Sequence, residues 1–291
     1  MSPIKFLSSM IPIRGMVRMT RVWNLFIIVL TQYFTAIFLV NSGQNSFVSV
    51  FDIRLFLLAQ SSALVAATGY IIKDYYDIKI DLINKPDRVV VGKIVKRRVA
   101  MVWHLILSTL GVLIGAYLSL YIGIFNLLSA GLLWLYSNQL KRMPLVGNLS
   151  VALLTGWAVY VIGFFYSSHN VMILAFAGFA FAFTLIREII KDIEDVKGDA
   201  NFGCRTLPVV HGIRSTKVMI YSFSLIFFLS ICSLAYFFAG KELVLFSLGL
   251  LFPLSLIAYL LFKADTVAEY AKLSDYCKVI MLIGIMSMAF F

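Results

Sequence analysis

The chain has 291 residues, 61% hydrophobic and 13% charged, with a mean hydropathy of +0.94 and a formal charge of +11. Soluble domains are about 45–50% apolar and about 25% charged, so a soluble globular fold is excluded, together with disorder, collagen and coiled coil. Cys204, Cys232 and Cys277 lie far apart without a CxxC or a nearby His pair, which argues against a disulfide framework and against redox or zinc chemistry.

In chain order, residues 1–22 read as a cytoplasmic segment bearing Lys5, Arg14, Arg18 and Arg21, with no small-residue cleavage site of a signal peptide. Residues 23–291 read as one all-α transmembrane domain. Runs of about 20 apolar residues cross a hydrocarbon core of roughly 30 Å. Nine are expected: Trp23–Val40, Leu55–Lys73, Met101–Leu120, Ile122–Leu140, Leu145–Tyr166, Val171–Ile190, Lys217–Phe238, Leu243–Phe262 and Tyr276–Phe291. The third and fourth are separated by a tight turn near Tyr121–Gly123.

This alternation places 23 of the 25 Lys and Arg residues on one side, leaving only Arg54 and Lys241 on the other. Basic residues are retained in the cytoplasm. In the cell's inner (cytoplasmic) membrane, the N-terminus and the even-to-odd connections, and with them a site facing the cytoplasm, are therefore expected on the cytoplasmic side and the C-terminus outside. Much of the positive surplus is topology and calls for no nucleic acid; Lys96, Arg97 and Arg98 read as contacts to lipid headgroups.

The acids obey another logic. Nine of 14 fall in two short segments, each after an even-numbered span. Lys73-Asp74-Tyr75-Tyr76-Asp77-Ile78-Lys79-Ile80-Asp81 reads KDxxDxKxD, and Lys191-Asp192-Ile193-Glu194-Asp195-Val196-Lys197-Gly198-Asp199 reads KDxxDxKxD again, 118 residues later. Four spans separate the copies, which makes the relation a parallel repeat. On a helix, positions i, i+4 and i+8 stack within about 80° of one face. Carboxylates so placed repel, and a divalent cation reverses the sign. Mg²⁺ favours a few carboxylates together with phosphate oxygens and water, so two opposed ladders suit a diphosphate bridged through Mg²⁺. The plainer alternative is a pair of solvated, charge-balanced helix ends.

The stretch from Asp77 to Asp81, continued through Asn84, Pro86 and Arg88, resembles the first aspartate-rich motif of the UbiA superfamily of intramembrane prenyltransferases. The stretch Arg187-Glu-Ile-Ile-Lys191-Asp192-Ile-Glu-Asp195-Val-Lys-Gly-Asp199 resembles the second. Arg205-Thr206-Leu207-Pro208 is similar to the family's segment just after that second motif, and Gly147-Asn148-Leu149 with Thr155-Gly156 is similar to the family's fifth helix. The residue pattern is nearest to digeranylgeranylglyceryl phosphate synthases. The resemblance implies a nine-helix bundle and transfer of a geranylgeranyl group to geranylgeranylglyceryl phosphate. Two features depart from the pattern. Lys73 stands where the family usually has Asn and offers no oxygen ligand, and Val89-Val90-Val91-Gly92 replaces a Pro/Ser-rich stretch.

On this resemblance Asp77, Asp81, Asp195 and Asp199 are the expected catalytic Mg²⁺ ligands, with Asp74 and Asp192 as further metal-site residues. Metal ions act on diphosphate as Lewis acids and templates, assisted by Lys and Arg donors. Lys73, Arg88, Lys141, Arg142 and Lys191 are expected at the substrate, with Arg21, Asn24, Tyr136 and Asn148. Anchoring at the interface is the alternative for Lys141, Arg142, Arg21 and Asn24, and ordinary helix–helix bonding for Tyr136 and Asn148. The expected partners are a prenyl diphosphate donor, a lipid-soluble acceptor and membrane lipids. His104, His169 and His211 are scattered, and no nucleophilic triad, P-loop or GxGxxG appears. Competing functions are prenylation of an aromatic acceptor and transport. Carriers tend to place ionisable groups near the midplane, whereas these acids lie at span ends.

Overall fold

The computed structural model describes residues 13–40, 50–84, 86–238 and 240–291, without the side chains of residues 13, 14, 84 and 88. Among the described residues nine helices are long and apolar enough to cross a membrane. A short helix, α1 (Ile13–Thr20), precedes the first span, formed by α2 (Val22–Phe34) and a π-helical turn over Thr35–Val40. Then come α3 (Ile53–Tyr76), α4 (Ile78–Asn84), α5 (Arg97–Leu118) and α6 (Leu120–Asn138). The second half holds α7 (Val146–Phe165), α8 (Val171–Glu194), α9 (Val196–Asn201), α10 (Leu207–Phe238), α11 (Lys241–Lys263) and α12 (Val267–Ser287).

Several boundaries differ from the hydropathy reading, each for a local reason. The hairpin turn falls at Ser119, the single extended residue between α5 and α6. The seventh span begins at Leu207, ten residues early, and bends at Gly212, whose φ of 79° suits glycine. The ninth begins at Val267, where Thr266 and Glu269 form a reciprocal capping box. Its charges Lys272, Asp275 and Lys278 lower the local hydropathy but share an exposed face, while Leu273, Cys277 and Ile280 are buried.

The described residues divide into two compact units, one within 13–33 and 50–140 and the other within 34–40 and 141–291. In the first, α3 packs on the α5–α6 hairpin. That hairpin closes tightly because a Cβ on Gly123 would lie 2.7 Å from Ala116 Cβ, and Asn126 Nδ2 donates to the Gly111 carbonyl at 2.9 Å. Beside this lies a small cluster of Met19, Ile71, Val90, Val91, Val95 and Ala100. It seats a turn in which Gly92 N–H donates to Val95 O at 2.8 Å. Arg18 and Lys93 add bonds to the Asp87 and Pro86 carbonyls at 2.7 and 2.8 Å.

In the second unit α8 is the most enclosed span and packs against α7, α10 and α12. Gly156 permits the α7 contact, since its Cβ would stand 3.0 Å from the Ala177 carbonyl. Phe176, Phe179, Phe183, Phe227 and Phe246 form the aromatic centre. Asn170 caps α8 by accepting from Met172 N–H and donates Nδ2 to Leu39 O at 2.8 Å, where the π-turn leaves a carbonyl to satisfy.

Candidate active site

Both ladders begin on a spanning helix and finish on a short one. Asp77 lies between α3 and α4 at φ −90°, ψ 2°, and Asp195 lies between α8 and α9 at φ −94°, ψ 6°. The helical bonds continue through each bend. Asp77 N–H donates to Lys73 O at 2.9 Å and Asp195 N–H to Lys191 O at 2.8 Å, and their carbonyls accept from Asp81 and Asp199. The three acids therefore do not stand in one straight row. Like charges at i,i+4 on a helix repel, and the acids of the first ladder stay close enough for the Asp77 and Asp74 charges to act on Asp81.

In the first unit Arg21 Nη2 donates to Asp74 Oδ1 at 2.8 Å, and its guanidinium lies 5.0 Å above the Tyr70 ring. Lys73 Nζ lies 3.4 Å from the Tyr136 hydroxyl and 5.5 Å from that ring's centre. Asp77 is buried. Burial, then the neighbouring Asp77 charge, pushes the Asp81 carboxyl up to about 6, against the pull of Lys73. Asn24 is half-buried in the first turn of α2, and the Arg88 side chain lies outside the described residues.

In the second unit Asn148 Nδ2 donates to Asp192 Oδ2 at 2.8 Å. Lys191 reaches Glu188 at 3.4 Å, and the same carboxylate takes Arg187 at 2.7 Å. Lys141 is half-buried and Arg142 exposed on the turn Leu140–Arg142. The Arg142 carbonyl accepts from Arg205 N–H at 2.8 Å, which fixes the segment leading into α10.

The structure thus joins three pairs of residues that the sequence singled out one by one: Arg21 with Asp74, Lys73 with Tyr136, and Asn148 with Asp192. Tyr70 and Glu188 had no assigned role. Val22-Trp23-Asn24-Leu25 and Val146-Gly147-Asn148-Leu149 form a short Val-x-Asn-Leu repeat, 124 residues apart, at the entries of α2 and α7.

Among the described residues no three His, Cys, Asp or Glu side chains form a ready-made metal cage. Mg²⁺ commonly takes one or two carboxylates and completes its octahedron with water and phosphate oxygens. A two-carboxylate set such as Asp77 with Asp81, or Asp195 with Asp199, fits an ion that arrives with phosphate.

Fold and site define a polytopic membrane protein with one bent acidic ladder in each half. Residues 28–277 match the UbiA prenyltransferase family. The chain belongs to this family. It is 38% identical over 176 residues to the digeranylgeranylglyceryl phosphate synthase of Methanothermobacter thermautotrophicus, covering 60% of this chain and 62% of that protein. It is 35% identical over 233 residues to the enzyme of that name from Sulfurisphaera tokodaii, covering 79% and 82%. A solved structure of digeranylgeranylglyceryl phosphate synthase in membranes aligns with TM-score 0.70 at 23% identity, over 95% of this chain and 97% of that one. A UbiA homolog from Archaeoglobus fulgidus bound to GPP and Mg²⁺ aligns with TM-score 0.67 at 14% identity, over 95% and 100%. At these identities the two structures establish the fold.

Proposed function

We propose that the protein transfers a geranylgeranyl group from its diphosphate to geranylgeranylglyceryl phosphate, with Mg²⁺, in the synthesis of ether-type membrane lipids. The observation that carries this reading is the 35% identity, over four-fifths of both chains, to an enzyme named for that product. In the reaction the allylic carbon–oxygen bond breaks and its electron pair leaves with diphosphate. The acceptor hydroxyl oxygen bonds to the allylic carbon, and its proton passes to a basic diphosphate oxygen.

Mg²⁺, when bound, supplies charge neutralisation of the leaving diphosphate. Asp77, Asp81, Asp195 and Asp199 are its proposed ligands. Lys73, Arg88, Lys141, Arg142 and Lys191 are proposed donors to diphosphate oxygens, since charge-assisted bonds to phosphate are the strong ones. The apolar helices keep water from the allylic cation. The distribution of basic residues supports an N-terminus and ladders on the cytoplasmic side. Lys241→Cys in a background lacking the native cysteines should then be labelled by an impermeant maleimide in intact cells; labelling only after lysis reverses the orientation.

The function is tested with purified protein, geranylgeranyl diphosphate, Mg²⁺ and a panel of acceptors. Product with geranylgeranylglyceryl phosphate is expected. Product only with a hydroxybenzoate or naphthoate sinks the reading, and solute flux in proteoliposomes without prenyl turnover would favour a carrier.

A further inference from the structure

The leading acid of each ladder is tied to a residue at the entry of another helix. Arg21 holds Asp74, and Asn148 holds Asp192, each at 2.8 Å. The partners sit at matching places, the entries of α2 and α7, where the Val-x-Asn-Leu repeat begins. The residue before each repeat has a positive φ: Arg21 at 52° and Leu145 at 65°. Only three described non-glycine residues have positive φ, and two of them are these. Such backbone persists where its surroundings fix it. The donors nevertheless differ. In the first half the positive-φ residue supplies a guanidinium; in the second, the Asn three positions later supplies an amide. The matching acid is reached from the matching helix entry by different chemistry.

From this geometry we infer that Asp74 and Asp192 are positioning residues, each tied to a helix entry to hold the bend from which the next two acids project, and that neither ligates Mg²⁺. The inference deepens the prenyltransferase reading and rests on it. A divalent ion on Asp74 would stand beside the Arg21 guanidinium, and like charges at that range repel strongly where water is scarce. Asn148 is 7% exposed. A metal that took Asp192 Oδ2, the oxygen held by Asn148, would leave that buried amide without its acceptor, which costs the desolvation of that group. The central acids Asp77 and Asp195 come three residues after the tethers, so fixing the leading acid fixes the helix turn that ends at the bend.

An exchange of the second pair tests this. Asn148→Asp alone sets two carboxylates together and should lower turnover about tenfold or more, and adding Asp192→Asn should restore the bond with its roles reversed. In detergent with inorganic diphosphate, Mn²⁺ affinity read by electron paramagnetic resonance should stay within about threefold of wild type in the exchanged protein, against a loss of about tenfold or more in Asp195→Asn. An exchanged protein that binds Mn²⁺ about tenfold more weakly, or gains no turnover over Asn148→Asp, overturns the inference. If Asn148→Asp does not fold, the exchanged protein is judged against wild type on the same two readouts. Wild type that binds no Mn²⁺ with diphosphate would instead overturn the prenyltransferase reading.

Discussion

Asp77 and Asp195 hold the same backbone conformation 118 residues apart, within a few degrees in both φ and ψ. Each closes a spanning helix of 24 residues and opens a short one. Neither site has a proline or glycine at the bend. The duplicated motif is therefore a duplicated backbone device, in which the central carboxylate marks the point where the helix changes direction.

Removing that carboxylate should remove chemistry and spare the fold. Asp77→Ala and Asp195→Ala are each expected to lower turnover about 100-fold or more through loss of a Lewis-acid ligand. Both variants should keep a cooperative melting transition in detergent, because the packing of the spanning helices is untouched. Wild-type turnover in either variant would remove that residue from the ligand set.

Lys73 offers a second measurement, free of metal. Its ammonium is placed by Tyr136, through both the hydroxyl and the ring face. Lys73→Asn should weaken binding of inorganic diphosphate in EDTA about tenfold, the scale of a charge-assisted hydrogen bond. Tyr136→Phe keeps the cation–π contact, worth about 0.5–2 kcal/mol, and should bind more tightly than Tyr136→Leu. Equal affinity of wild type and Lys73→Asn would show that Lys73 does not reach the diphosphate.

The α5–α6 hairpin predicts opposite effects for one chemical change. A Cβ on Gly123 meets Ala116 Cα at 2.8 Å, a backbone atom that cannot rotate away, whereas one on Gly131 meets nothing within 4 Å. Gly123→Ala should destabilise by about 1–3 kcal/mol through overpacking. Gly131→Ala should stabilise by about 0.5–1 kcal/mol through helix propensity. Unfolding in mixed micelles with increasing SDS separates the two, and equal midpoints would contradict the packing described for this hairpin.

Lys217 ties α10 to the turn between α11 and α12. Its ammonium donates to the Ala264 carbonyl, lies 3.5 Å from Asp265 and stands 5.6 Å from the Tyr270 ring. Tyr270 donates its hydroxyl to the same carbonyl at 2.8 Å. Lys217→Met should cost about 1–3 kcal/mol, and Tyr270→Phe about 1 kcal/mol because Lys217 still serves the carbonyl. A larger loss in Tyr270→Phe would reverse this ranking.

The nine spans were legible because apolar runs of bilayer length are a strong signal, and the ladders because scarce acids recurred in register. The bends were not. Asp77 and Asp195 carry no sequence mark of a changed backbone, and i,i+4 spacing alone suggested a straight helix. Nor did hydropathy reveal that Leu207–His211 begins the seventh span, since Pro208 and Gly212 look like breakers when one is a first-turn residue and the other a bend within the helix. The tethers Arg21–Asp74 and Asn148–Asp192 join residues 53 and 44 positions apart. Only the faint Val-x-Asn-Leu repeat hinted that both helix entries were built alike.

The turn over Val89–Val95 bears on the surrounding bilayer. Val90, Val91 and Val95 are buried against Met19 and Ile71, while Lys93, Lys96, Arg97 and Arg98 remain exposed. These cations are presented by a folded edge, and little backbone freedom is left to lose when they meet a lipid. Each Lys or Arg near an anionic leaflet contributes about 1 kcal/mol of attraction. Beside an anionic leaflet the neighbouring annulus is therefore expected to be enriched in acidic headgroups, an outcome that lipid co-purification checks, with the three buried valines fixing the edge that attracts them.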